Sequence, residues 1–145
     1  MNAREFVDTN VFIYAFDSSA GRKRAVAAGL LERLWSERTG CVSLQVLQEF
    51  YVTATSKLGM AASDAAQQTE RLGKWTVHRP SFDDVLSAIE LHRRRQVAFW
   101  DALIVRSAMR LDCAILWTED LSDGQRWDAV TVRNPFADSG RDNTS

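Results

Sequence analysis

Glu5-Phe6-Val7-Asp8-Thr9-Asn10-Val11-Phe12-Ile13-Tyr14-Ala15-Phe16, near the start of the chain, decides how the rest is read. Glu5-Phe6-Val7 is a short extended run, and Asp8-Thr9-Asn10 offers side chains that cap helix N-termini. The run 11–16 that follows is compatible with a helix. The order is therefore strand, turn, helix, and later blocks repeat it.

Working outward, residues 22–38 place Ala25, Val26, Gly29, Leu30, Leu34 and the pair Leu31/Trp35 at helical spacing. Gly40-Cys41-Val42-Ser43 predicts a second strand, with Ser43 capping a helix over 44–57 that carries Val46, Leu47, Phe50, Tyr51 and Ala54. Helices over 63–73 and 81–95 each open on a serine, and Trp75-Thr76-Val77-His78 between them alternates as a strand does. A helix over 99–111, a continuous apolar strand over 113–117 and a short strand over 130–132 complete the pattern. Strands alternating with helices predict a three-layer α/β/α sandwich around a mostly parallel sheet of four to five short strands, with right-handed crossovers. The strand order is not readable from this pattern. Residues 1–137 are expected to form one domain, and 138–145, rich in Asp, Ser, Gly and Asn, a flexible tail.

The 145 residues suit one domain, and 46% hydrophobic with 26% charged side chains argues against a disordered or low-complexity chain. Eighteen basic residues against 19 acidic ones leave a net charge of −1, so any contact with nucleic acid must come from a local patch. Neither a secretory signal nor a membrane span fits, and the expected location is the cytoplasm without membrane contact. Cys41 and Cys113 lack zinc-type spacing and read as buried thiols.

Four acids have surroundings that a merely solvated carboxylate does not explain. Asp8 follows a strand, at the sheet edge where open α/β folds bind ligands, although a helix N-cap explains it equally. Glu49 shares a helix face with Val46 and Val52, which means either an outward-reaching side chain or a cation to meet. Asp101 aligns with Ile104, Val105 and Ala108, and also suits the first turn of a helix. Asp120 lies just past the apolar strand, in the position Asp8 holds after the first, with a turn residue as its plain reading and Asp123 as a competitor. Two acids at strand ends and two on helices can converge. At about 4 Å, two such charges repel by roughly 4 kcal/mol at an effective dielectric of 20, so a converged group must protonate, spread or bind a cation. Oxygen ligands without Cys or His favour Mg²⁺ or Mn²⁺.

These pieces, Val7-Asp8-Thr9-Asn10, Gln48-Glu49-Phe50, Trp100-Asp101-Ala102-Leu103-Ile104 and Thr118-Glu119-Asp120, resemble in order and spacing the PIN-domain ribonucleases, above all the VapC-type toxins of bacterial toxin-antitoxin pairs. The resemblance spans about residues 3 to 135. It implies a PIN-like fold and an endoribonuclease whose carboxylates Asp8, Glu49, Asp101 and Asp120 hold one or two Mg²⁺ or Mn²⁺ ions, with Asp123 sharing or replacing the role of Asp120. Thr9, Asn10 and Thr118 match small polar positions that orient the acids, and turn or cap chemistry is their alternative. The resemblance also implies an RNA substrate, a cognate antitoxin and a homodimer. Residues 11–16 and the helix over 22–38 offer a dimer face or pack inside the chain.

Phosphates need positive charge beside the acids, and Arg22-Lys23-Arg24 and Arg93-Arg94-Arg95 are the candidate RNA contacts, solvated helix faces being the plainer reading. Trp75, Trp100, Trp117 and Trp127 offer base stacking or core packing. A Mg²⁺-dependent phosphatase or phosphotransfer domain is a rival, weakened because lysine occurs only at positions 23, 57 and 74. A non-catalytic binding module is another. His78 and His92 lack a nucleophile motif and read as surface or cap histidines.

Overall fold

β1 (Glu5–Val7) is buried throughout, and α1 (Thr9–Phe16) begins directly after it because the Asp8 side chain accepts the Thr9 N–H. The helix thus starts at Thr9 rather than at Val11, the cap being Asp8 alone. The computed structural model describes residues 2–137, and the tail expected over 138–145 lies outside them. The chain continues through α2 (Arg22–Glu37), β2 (Gly40–Ser43), α3 (Leu44–Ser56), α4 (Ala62–Leu72), β3 (Thr76–His78), α5 (Phe82–Arg95), α6 (Phe99–Arg110), β4 (Ile115–Trp117), β5 (Arg126–Trp127) and β6 (Val130–Arg133). Ser43 caps α3 and Ser81 caps α5, the latter in a capping box with Asp84. Ser63 is no cap: α4 begins at Ala62.

The sheet order is β3-β2-β1-β4-β6-β5, parallel except for the β5–β6 pair. It holds six strands where four to five were expected. The extra one, β5, has two residues and carries no periodicity of its own; Trp127, 2% exposed, anchors it in the core. From β1 the chain moves to β2 and β3 on one side, then returns to place β4 on the other side of β1. Right-handed connections running in opposite directions put their helices on opposite faces of the sheet. The reversal leaves a crevice at the carboxyl ends of β1 and β4.

Phe6, Phe12, Leu34, Val42, Phe50, Ile104 and Leu116 are buried in the main core. Val11 and Phe12 are fully buried, so that part of 11–16 packs inside the chain. Ala25 and Gly29, read as apolar positions of α2, are exposed. Gly40 matters sterically, since a Cβ there would stand 2.5 Å from the Trp75 ring. Cys41 and Cys113 are buried free thiols.

Under α5 and α6 lies a buried polar knot. Asp84, 1% exposed, accepts Arg106 Nε at 2.8 Å and Arg110 Nη1 at 3.1 Å, with His78 Nε2 at 3.2 Å from its other oxygen. His78 is therefore an interior residue rather than a surface or cap histidine, and its Nδ1 pairs with Ser107 Oγ at 2.7 Å. Ser107 is 1% exposed, so this Ser-His-Asp series ties β3 to the two helices and is out of a substrate's reach. Among the described residues no helix is long and apolar enough to cross a membrane.

Candidate metal centre

The carboxyl end of β1 delivers Asp8, and the carboxyl end of β4 delivers Thr118 and Asp120. The strands are neighbours in register Val7↔Trp117, and the Asp8 N–H donates to the Trp117 carbonyl. Asp101 comes from the first turn of α6. Asp8, Asp101 and Asp120 each present a carboxylate oxygen, and these oxygens lie within 4.8 Å of one another.

Hydroxyls and amides fix the acids. Thr9 N donates to Asp8 Oδ1 at 2.7 Å, and Thr118 Oγ1 donates to Asp8 Oδ2 at 2.8 Å. Thr118 Oγ1 also accepts the Asp120 N–H at 3.1 Å and Asn10 Nδ2 at 3.3 Å, while Asn10 Nδ2 reaches Asp120 Oδ2 at 3.1 Å. Glu49 joins through Thr9, whose hydroxyl donates to Glu49 Oε1 at 2.7 Å. Gln45, one helical turn before Glu49, donates to Glu49 Oε2 at 3.2 Å and to the Trp100 carbonyl at 3.3 Å. Sequence reading missed Gln45; its place four residues before Glu49 was the available signal.

Burial pushes the Asp8 carboxyl up to about 7. The Thr118 and Thr9 hydrogen bonds oppose that rise, and the charges of Asp120 and Glu49 add to it. Asp101 is raised as well, by burial first and then by the charges of Asp120 and Glu49. The repulsion expected of a converged acid group is thus built into the site. A divalent ion fits it on two grounds: every donor is a hard oxygen, and two buried acceptors, Asn10 Oδ1 and Gln45 Oε1, have no partner.

Other candidates fall elsewhere. Asp123 is outside the group of three, because its Oδ1 accepts the Asn134 N–H at 2.8 Å and holds the loop after β6. Lys23 is close to the site but committed to Glu119, which also accepts the Tyr14 hydroxyl at 2.7 Å. Arg94 pairs with Glu90, and Arg95 stacks on Trp127 at 4.1 Å from the ring centroid. Arg22, Arg24 and Arg93 are exposed. Trp127 is core and Trp75 and Trp117 are half-buried, whereas Trp100, beside Asp101, is 61% exposed.

Solved structures of similar fold include a toxin-antitoxin complex from Klebsiella pneumoniae (TM-score 0.68, 21% identity, covering 90% of this chain and 97% of that one). Another is VapC20 of Mycobacterium tuberculosis, described as a sarcin-ricin loop cleaving toxin (TM-score 0.62, 21% identity, 77% and 86% covered). A third is VapBC2 of Rickettsia felis bound to a DNA fragment from its promoter (TM-score 0.64, 19% identity, 90% and 97% covered). A search of curated proteins finds no match. The family model described as the PIN domain matches residues 6–122, a span that opens within β1 and closes just past Asp120. The chain therefore belongs to the PIN domain family.

Proposed function

We propose that this protein is a Mg²⁺- or Mn²⁺-dependent endoribonuclease and the toxin of a toxin-antitoxin pair. The observation that carries the reading is the gathering of Asp8, Asp101 and Asp120 oxygens within 4.8 Å at the point where the strand order reverses. When bound, a divalent ion supplies positive charge for the phosphate and lowers the pKa of water.

The chain's own residues supply the geometry. Asp8 and Asp101 would be the principal ligands of such an ion, and Asp120 would hold a second ion or act through water. Glu49, fixed by Thr9 and Gln45, orients the attacking water. Thr118 and Asn10 keep the acids in place, and exposed Trp100 offers a face on which a base of the substrate stacks. Replacing Asp8 or Asp101 by Asn is expected to abolish metal-dependent RNA cleavage, and retained cleavage would refute the assignment. Sequencing of cleaved cellular RNA ends after controlled expression, wild type beside Asp8→Asn, identifies the target; a pattern shared by both would refute it too.

An antitoxin partner is supported by the similar fold of the toxin-antitoxin complex from Klebsiella pneumoniae. The proposed homodimer is seated on α5. Phe82, Leu86 and Ile89, at i, i+4 and i+7, are 75%, 47% and 39% exposed. Asp83 lies in the first turn of α5 and Arg93 and Arg94 in its last, so an antiparallel two-fold pairing sets acid against base.

A further inference from the structure

Beside the carboxylates a trough of about 680 Å³ runs between α1 and α3. Glu49, Thr53 and Lys57 line one wall at i, i+4 and i+8, the helical spacing persisting to Lys57 because its N–H still donates to the Thr53 carbonyl. At 1.5 Å per residue, Lys57 stands about 12 Å along the helix from Glu49. Ile13 and Asp17 lie on the opposite wall, and Asp120 closes the acidic end.

A polyanion approaching this cluster of acids requires counter-charge. Of the six basic residues expected to meet RNA, Lys23 pairs with Glu119, Arg94 with Glu90 and Arg95 with the Trp127 ring, while Arg22, Arg24 and Arg93 are exposed but do not line the trough. Among the described residues Lys57 is the one basic side chain lining the trough; it is exposed and enters no ion pair. A lysine at a helix C-terminus is favoured by the macrodipole in any case, but that favours the residue type and not its place in the trough. Asp17 lines the trough too, and its carboxylate is tied to its own turn by the Ser19 N–H and hydroxyl.

We propose that the α1–α3 trough is a phosphate subsite for the RNA strand, with the scissile phosphate at the acids and a neighbouring phosphate of the same strand on the Lys57 ammonium. The proposal rests on the nuclease reading. Lys57 is a positioning residue, acting on the strand rather than on the reacting atoms. The test is binding of a fluorescent single-stranded oligoribonucleotide to the Asp8→Asn chain across a salt series, with and without Lys57→Ala or Lys57→Arg. Lys57→Ala is expected to weaken binding several-fold at low salt and to reduce the slope of log K against log salt by about 0.7, the value of one lost contact on a single strand. Lys57→Arg should restore both. Unchanged affinity and slope in Lys57→Ala overturn the subsite alone. A parent chain that binds no RNA overturns both the subsite and the nuclease reading.

Discussion

The Thr118 hydroxyl has one proton and two lone pairs, and all three are used: it donates to Asp8 and accepts from Asn10 and the Asp120 N–H. Thr118→Val keeps the shape and removes all three bonds. Activity or Mn²⁺ affinity is expected to fall about 10- to 100-fold, as is usual for partners that orient ligands, with an unchanged circular dichroism spectrum. Thr118→Ser should restore it, and equal loss in both variants would show that the methyl, not the hydroxyl, matters. At this scale the sequence was partly readable. Asp8 and Asp120 stood out because each follows an apolar strand, yet nothing local distinguished Asp120 from Asp123. Both are turn residues, and only the β4–β6 neighbourhood turns Asp123 toward Asn134. His78 was misjudged for a related reason: a polar residue ending an edge strand looks solvated until Asp84 and Ser107 arrive from distant helices.

α5 depends on one buried carboxylate. Burial works to raise the Asp84 pKa, but the Ser81 N–H and hydroxyl, the Arg106 guanidinium and the His78 charge outweigh it and hold it at about 2. The folded value lies below the ordinary 3.8, so the stabilisation is present above that pH and is lost as pH falls toward 2. Its size is about 2 kcal/mol. Urea denaturation of the wild type between pH 6 and pH 2.5 should show this loss, and Asp84→Asn should be less stable at pH 6 with a flatter profile. At its other end α5 stops on Gln96 in the left-handed conformation, φ 55°. Gln96→Gly relieves that strain and should stabilise the chain by about 0.5–1 kcal/mol in the same assay. Helix boundaries with side-chain caps, such as Ser43 and Ser81, were legible in advance, whereas α4 and α6 have Ala61 and Ala98 at their N-cap positions, without a side-chain cap, and left no such mark.

On the scale of the molecule, an alternating strand–helix pattern announced the layered α/β architecture, while strand order stayed hidden because it is set by which buried faces meet and not by local periodicity. The exposed row Phe82, Leu86 and Ile89 likewise shows only once α5 is laid against α6, whereas the sequence offered residues 11–16 and 22–38 as the dimer face. Leu86→Glu is expected to turn a dimer into a monomer in size-exclusion with light scattering; a wild-type monomer would exclude the proposed pairing. Finally, the bond between Thr118 and Asp8 joins residues 110 positions apart. A ribosome must therefore translate past β4 before the carboxylates of the site can meet. Products that end before β4 are expected to lack the assembled group of Asp8, Asp101 and Asp120.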